Sequence, residues 1–268
     1  MKKIGFIDHY ISEWHANKYP AWLTEVGTAI GEELAVWGVY AEEDTSPVDG
    51  RTTAEWCEAY GARRYDSIEA LCADVDYIFI LAPDSTEKHL PYAKLALPFG
   101  KPTYIDKTFA PSLEVANEII ALAEQYGAPM YSTSPLRYAT ELDTVTPRDM
   151  ATYGGGPELS GYIVHQLEMI VKVMGGDYAS TATRETENGW DATITYKDGR
   201  TATMHYVRGF SGFEIEADGV RIPLAFKYFP RLIEDVVRFF RSGKAPFDRA
   251  ETRAVMALRD EILAVTEK

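Results

Sequence analysis

The segment that most limits how this chain can fold is Val75–Ala82 (VDYIFILA). From Tyr77 onward it is apolar without interruption, where a strand with one wet face would alternate. Such a strand is buried on both faces, which calls for helices above and below a parallel sheet. Its neighbours agree. Lys3–Asp8 (KIGFID), Glu33–Ala41, Pro102–Asp106 and Pro129–Ser132 read as further strands. Between them, Thr86–Leu97 reads as a helix with Ser85 as its N-cap. Ser112–Tyr126 reads as another, with Ser112 as N-cap, Val115 and Ile119 on one face, and Gly127 as the stop. Strands alternating with helices predict an α/β fold with a doubly wound parallel sheet.

The second half is patterned differently. Ala192–Tyr196 and Thr201–Val207 are β-rich runs joined through Asp198-Gly199, a turn sequence suited to a hairpin. Phe213–Ala217 and Val220–Leu224 repeat the arrangement around Asp218-Gly219. This half therefore carries an antiparallel sheet. Two helices close the chain. One starts at Pro230 and ends before Gly243; the other starts at Asp248, with Glu251 completing a capping box. The change of pattern puts the boundary near Pro135.

Charge narrows the partners. The chain has 27 Lys and Arg against 41 Asp and Glu, a net charge of −14 over 268 residues. That balance argues against nucleic acid and anionic membranes, both of which are bound by clustered basic side chains. No apolar run is long enough for a membrane helix, and the expected address is cytoplasmic. Cys57 and Cys72 have no metal-like spacing and read as reduced, packed thiols. Asp8, His9, Glu13 and His15 have the composition of a metal cluster but lack HxxxH or HExxH geometry, so no metal is expected. Serine hydrolase chemistry has no G-x-S-x-G elbow to rest on.

In a doubly wound sheet the ligand lies at the carboxyl ends of the strands. A dinucleotide also needs glycines after the first strand, because a pyrophosphate approaches bare backbone. Here the first strand runs into Asp8-His9-Tyr10-Ile11-Ser12-Glu13, without glycine and with added negative charge, which argues against tight dinucleotide binding. Glu42, Glu43 and Asp44 at the end of the second strand either hold an adenosine ribose or form a solvated acidic loop. The aromatic residues Tyr10, Trp14, Tyr19 and Trp22 either line a pocket or pack.

The stretch Asp74–Ala110 resembles the Gfo/Idh/MocA oxidoreductases, the glucose-fructose oxidoreductase and inositol dehydrogenase family. The shared features are the strand, the turn Ala82-Pro83-Asp84-Ser85, a helix bearing His89 and Ala93, then Gly100-Lys101-Pro102 leading to Ile105-Asp106-Lys107-Thr108. The likeness continues through Ser112–Gly127 and Tyr131–Tyr138, and returns in the last two helices. It implies a Rossmann-type dinucleotide-binding domain at 1–135 and a reduced α+β substrate and oligomerisation domain at 136–268, whose mostly antiparallel sheet is expected to have four or five strands because the stretch between Tyr138 and Gly154 is shorter than in the family. It implies NAD or NADP as cofactor, NAD being favoured, near Asp8, Tyr10, Ile11, Glu42, Ala82, Pro83, Ser85, His89 and Asp106. Lys107 matches the family's proton-transferring lysine, although Asp106 and Thr108 replace the usual Glu and Pro around it. His165 on a helix of the second domain matches the family's histidine; Gly161 stands where many members carry an aspartate. Arg137, Tyr162 and Glu168 join Lys107 and His165 as expected substrate contacts. Self-association through the second sheet, as a homodimer or higher homo-oligomer, also follows from the resemblance.

Three functions remain. The first is an NAD(P)-dependent oxidoreductase moving a hydride to or from a sugar, polyol or related hydroxy compound, with Lys107 and His165 catalytic. The second is a non-catalytic ligand-binding or regulatory protein of the same fold without tight dinucleotide binding. The third is a subunit that works only within a larger assembly.

Overall fold

The computed structural model describes residues 1–146 and 148–267. The chain divides into two compact units, Met1–Ser132 with Leu232–Pro246, and Thr133–Arg231 with Phe247–Lys268.

The first unit is built on a parallel sheet of β1 (Lys2–Asp8), β2 (Leu34–Ala41), β3 (Arg63–Arg64), β4 (Tyr77–Ile80), β5 (Thr103–Ile105) and β6 (Met130–Ser132). The strand order is β3-β2-β1-β4-β5-β6. The order reverses between β1 and β4, and in sheets of this kind such a switch point is where ligands bind, at the strand carboxyl ends. Helices α1 (Trp14–Ile30), α2 (Thr53–Tyr60), α3 (Ile68–Asp74), α4 (His89–Ala96) and α5 (Leu113–Gln125) connect the strands. All four residues of β4 are buried, as its apolar run requires. Gly5 lets α3 pack tightly on β1, since a Cβ there would lie 3.1 Å from both Leu71 and Val75 side chains.

The second unit holds α6 (Leu159–Met174), α8 (Arg249–Thr266) and a mixed sheet. Its strands are β7 (Met150–Gly154), β8 (Tyr178–Thr186), β9 (Gly189–Tyr196), β10 (Thr201–Val207), β11 (Phe213–Ala217) and β12 (Val220–Pro223). They run in the order β12-β11-β7-β10-β9-β8, antiparallel except for the β7–β10 pair. Ile163, Leu167 and Ile170 of α6 pack with Leu258 and Ile262 of α8 and with Ile194 and Met204 of the sheet.

Several local expectations are corrected. The second sheet has six strands, not four or five. β7 ends in Gly154, and β8 carries the largely polar run Ser180–Thr186, so neither shows a strong β pattern in the sequence. α1 begins directly after the first loop and contains Pro20, which hides it from a pattern search. The expected helix Thr86–Leu97 is α4 flanked by single 3-10 turns, and Ser85 does not cap it. Helix α7 (Tyr228–Ser242) starts before Pro230, not at it. Asp248 caps α8 through Ala250 N at 2.7 Å, but the Glu251 carboxylate turns to Arg137 instead of closing a capping box. Ser112 caps α5 as expected, accepting from Val115 N at 3.3 Å.

The Leu232–Ser242 part of α7 belongs to the first unit. Its Phe240 stacks on Tyr77, with centroids 4.7 Å apart, and meets Phe79 edge-on at 5.2 Å. Phe239 lies 4.8 Å from Tyr131. Cys57 and Cys72 are unbridged and buried. No helix among the described residues is long and apolar enough to cross a membrane.

A Cβ on Gly38 of β2 would lie 2.2 Å from Tyr65 Cε2. Gly38→Ala is therefore expected to destabilise the first unit by about 1–3 kcal/mol, the usual cost of overpacking. The shift of the urea unfolding midpoint measures it.

Candidate functional site

At the carboxyl edge of the first sheet, β1 ends in Asp8, which is 1% exposed. Its Oδ1 accepts from His9 N at 2.7 Å and from Ala82 N at 3.1 Å, tying the end of β1 to the turn after β4. Ala82 takes a left-handed conformation, φ 50°, which is uncommon for a residue other than glycine. The second oxygen of Asp8, Oδ2, is buried without a hydrogen-bond partner. Burial, reinforced by the charge of Glu13, holds the Asp8 carboxyl well above the usual carboxylate range.

Glu13 is the N-cap of α1. Its carboxylate accepts from His15 N at 2.7 Å and from Ala16 N, so it takes up first-turn amides of the helix. His15 Nδ1 lies 3.0 Å from the same carboxylate, and its Nε2 lies 3.8 Å from Asp106 Oδ2. Burial lowers the His15 pKa, but the Asp106 and Glu13 carboxylates outweigh it and the net shift is upward. Asp106 is fully buried just past β5, and its Oδ1 accepts from Tyr104 OH at 3.4 Å. Lys107 follows, half-buried, donating from Nζ to Pro83 O at 3.1 Å. The Lys107–Thr108 peptide is cis.

The other residues expected near a cofactor take varied positions. Tyr10 is partly exposed and its hydroxyl pKa is raised by burial and by Asp84, Asp8 and Glu13. Ile11 is buried at 1% exposure. Ser85 Oγ lies 3.0 Å from His9 Nδ1. Glu42, just past β2, is engaged by Lys88 Nζ and by Tyr92 OH at 2.7 Å. His89 is fully buried, its ring nitrogens 3.0 Å from Phe109 O and 2.6 Å from Leu81 O, so it braces backbone. Trp14, Tyr19 and Trp22 lie along α1 and pack on one another, with Tyr19 5.8 Å from Phe79.

A second polar cluster lies in the second unit. His165 Nδ1 is 2.6 Å from Ser134 Oγ, which also accepts from Leu136 N at 3.2 Å. Tyr162 and Phe213 set their rings 5.7 and 5.3 Å from the imidazole. Glu168 accepts from Arg137 Nη1 at 3.1 Å and from Ser134 N at 3.3 Å. Burial raises the Glu168 pKa against the lowering effect of Arg137. Arg137 also pairs with Glu251 and lies 3.8 Å over the Phe247 ring. Arg137 and Glu168 thus bind each other, while Tyr162 and His165 share a face of α6. Lys107 belongs to the first unit and His165 to the second.

The capping of α1 by Glu13 and the part of Ser134 are what sequence reading missed. Glutamate is an uncommon N-cap, and Ser134 carries no motif. Among the described residues no group of three or more His, Cys, Asp or Glu side chains is arranged to hold a metal ion.

A pyrophosphate does not fit this edge as it stands. First-turn amides of α1 already serve Glu13, the loop 9–12 has no glycine, and the carboxyls of Asp8 and Asp106 are buried close by. Bringing a phosphate there adds like charge where the dielectric is low.

Because the folded Asp8 has a raised pKa, its ionisation costs the folded state: its contribution is fully present in acid and is lost as pH rises through the folded value. Asp8→Asn removes that loss. The variant's Tm relative to the natural chain should increase between about pH 5 and about pH 8. Thermal unfolding of both proteins across that range checks it, and parallel curves count against it.

Residues 42–133 match the model of the oxidoreductase family with an NAD-binding Rossmann fold, Gfo/Idh/MocA. No curated protein matches by sequence. Among solved structures, a candidate myo-inositol dehydrogenase from Sinorhizobium meliloti superposes with a TM-score of 0.77 at 14% identity, covering 100% of this chain and 98% of that one. UDP-N-acetylglucosamine 3-dehydrogenase from Acidithiobacillus ferrooxidans gives 0.73 at 18% identity, with 97% and 96% covered. Biliverdin reductase from Synechocystis, solved with biliverdin and NADP+, gives 0.70 at 14% identity, with 98% of each chain covered. At these identities the structures establish the fold. The resemblance read from the sequence is borne out: over residues 42–133 the chain matches the Gfo/Idh/MocA oxidoreductase family, and over its whole length it carries the fold of such dehydrogenases.

Proposed function

We propose that the chain recognises a sugar, polyol or related hydroxy compound at the carboxyl edge of its first sheet, with Lys107 donating a hydrogen bond to the ligand's hydroxyl oxygen. The observation that carries this reading is the position of Lys107. It follows β5, inside the segment matched by the oxidoreductase family model, and is half-buried, donating to Pro83 O at 3.1 Å. A lysine held this way has donors to turn toward a hydroxyl oxygen. Behind it, Asp106, His15 and Glu13 form a polar chain that fixes the edge.

A second reading is an oxidoreductase that uses a nicotinamide dinucleotide. The family match over 42–133 favours it. Glu42 past β2 would suit a ribose diol and repel a 2′-phosphate, so within this reading NAD is preferred over NADP. The capping of α1 by Glu13 weighs against it. His165, fixed by Ser134, is the second unit's proposed contact for a hydroxylated ligand. Self-association through the second sheet completes the proposal, and sedimentation velocity tests that part: a monomer at micromolar concentration removes it.

Lys107→Ala tests the main reading. A panel of neutral sugars and polyols, myo-inositol among them, should raise the Tm of the natural chain and leave that of Lys107→Ala unchanged. The unliganded variant should keep its Tm within about 0.5 kcal/mol equivalent, because a partly exposed lysine with one backbone bond contributes little to the fold. Equal ligand shifts in both proteins would remove Lys107 from the site.

A further inference from the structure

The first amides of a helix that follows a parallel strand form an anion site: they point outward unpaired and the helix dipole favours negative charge. In this chain that site is already filled from within. Glu13 stands one residue before α1, is 4% exposed, and its two carboxylate oxygens accept from His15 N and Ala16 N. His15 Nδ1 holds the same carboxylate from the side at 3.0 Å and leans toward Asp106, 3.8 Å from its Nε2. Asp8, at the end of β1, presses on the cluster from below and keeps one oxygen without a partner.

We infer that Glu13 is a built-in substitute for a phosphate, so that the chain holds no nicotinamide dinucleotide through its pyrophosphate and the ligand of this edge carries no phosphate there. Three observations converge on this. The amides are taken by a buried carboxylate. The loop 9–12 offers no glycine, and Ile11 and Ser12 fill it at 1% exposure each. Asp8 and Asp106, both buried, set two further acidic groups around Glu13 and His15, where a phosphate would add like charge. The sequence match to the NAD-binding family starts at residue 42, beyond Asp8, the loop 9–12, Glu13 and His15.

Titration of the natural chain with NADH, NADPH and ADP, followed by protein fluorescence and by calorimetry, decides the exclusion. No binding up to millimolar ligand is expected, and micromolar binding of either reduced dinucleotide overturns the inference. Two variants test the part played by Glu13. Glu13→Ser keeps a good helix cap without the charge, and Glu13→Gly clears the space at a small cost in capping. At least one should gain about tenfold or more in affinity for NADH or ADP over the natural chain. If both fold, as judged by circular dichroism, and neither gains, Glu13 is not the excluding group. Should Glu13→Gly not fold, Glu13→Ser alone decides. The sugar and polyol panel is read separately, by Tm, so failure of the hydroxy-compound reading and failure of this inference give different results.

Discussion

The contact between the Glu13 carboxylate and the first amides of α1 governs the edge of the first unit. It starts the helix immediately after the first loop, which leaves no room for the glycine turn of a dinucleotide fold. It brings His15 inward, and through His15 it reaches Asp106 and the backbone that carries Lys107. It also places a charge near Asp8, whose carboxyl is already disfavoured by burial. One side chain thereby sets the electrostatics of an edge whose shape is inherited from the parallel sheet. A fold can keep its layers and strand order while the chemistry at its rim changes, because the two depend on different atoms.

What could be read from the sequence follows the same division. β4 was legible because a strand covered on both faces leaves a continuous apolar run, and the sheet around it followed from alternation. The β9–β10 hairpin was legible from its Asp-Gly turn. α1 was not, since its cap is a glutamate and a proline sits inside it. β8 was not, because its exposed residues Ser180, Arg184 and Glu185 resemble a loop when their partner strand is unknown. Of the site, Asp106 and Lys107 could be found by their motif. The pairing of His15 with Asp106, and of Ser134 with His165, depends on contacts across 91 and 31 positions of chain, which no local spacing encodes.

In the second unit, polar side chains expected to face a substrate also hold one another. Arg137 and Glu168 look like substrate ligands in a list, yet each is buried and satisfied by the other and by Glu251 or Ser134. Removing one partner of such a pair leaves an uncompensated charge, so their preservation is a matter of folding before it is one of binding. His165 contacts the Ser134 hydroxyl, 2.6 Å from its Nδ1.

Phe239 and Phe240 finish the aromatic core of the first unit, although they lie more than one hundred residues beyond β6. During synthesis, the faces of Tyr77, Phe79 and Tyr131 that α7 covers therefore stay open until residues 239 and 240 have been made, after the whole second sheet. Completion of the first unit's aromatic core is a late event in the life of the nascent chain.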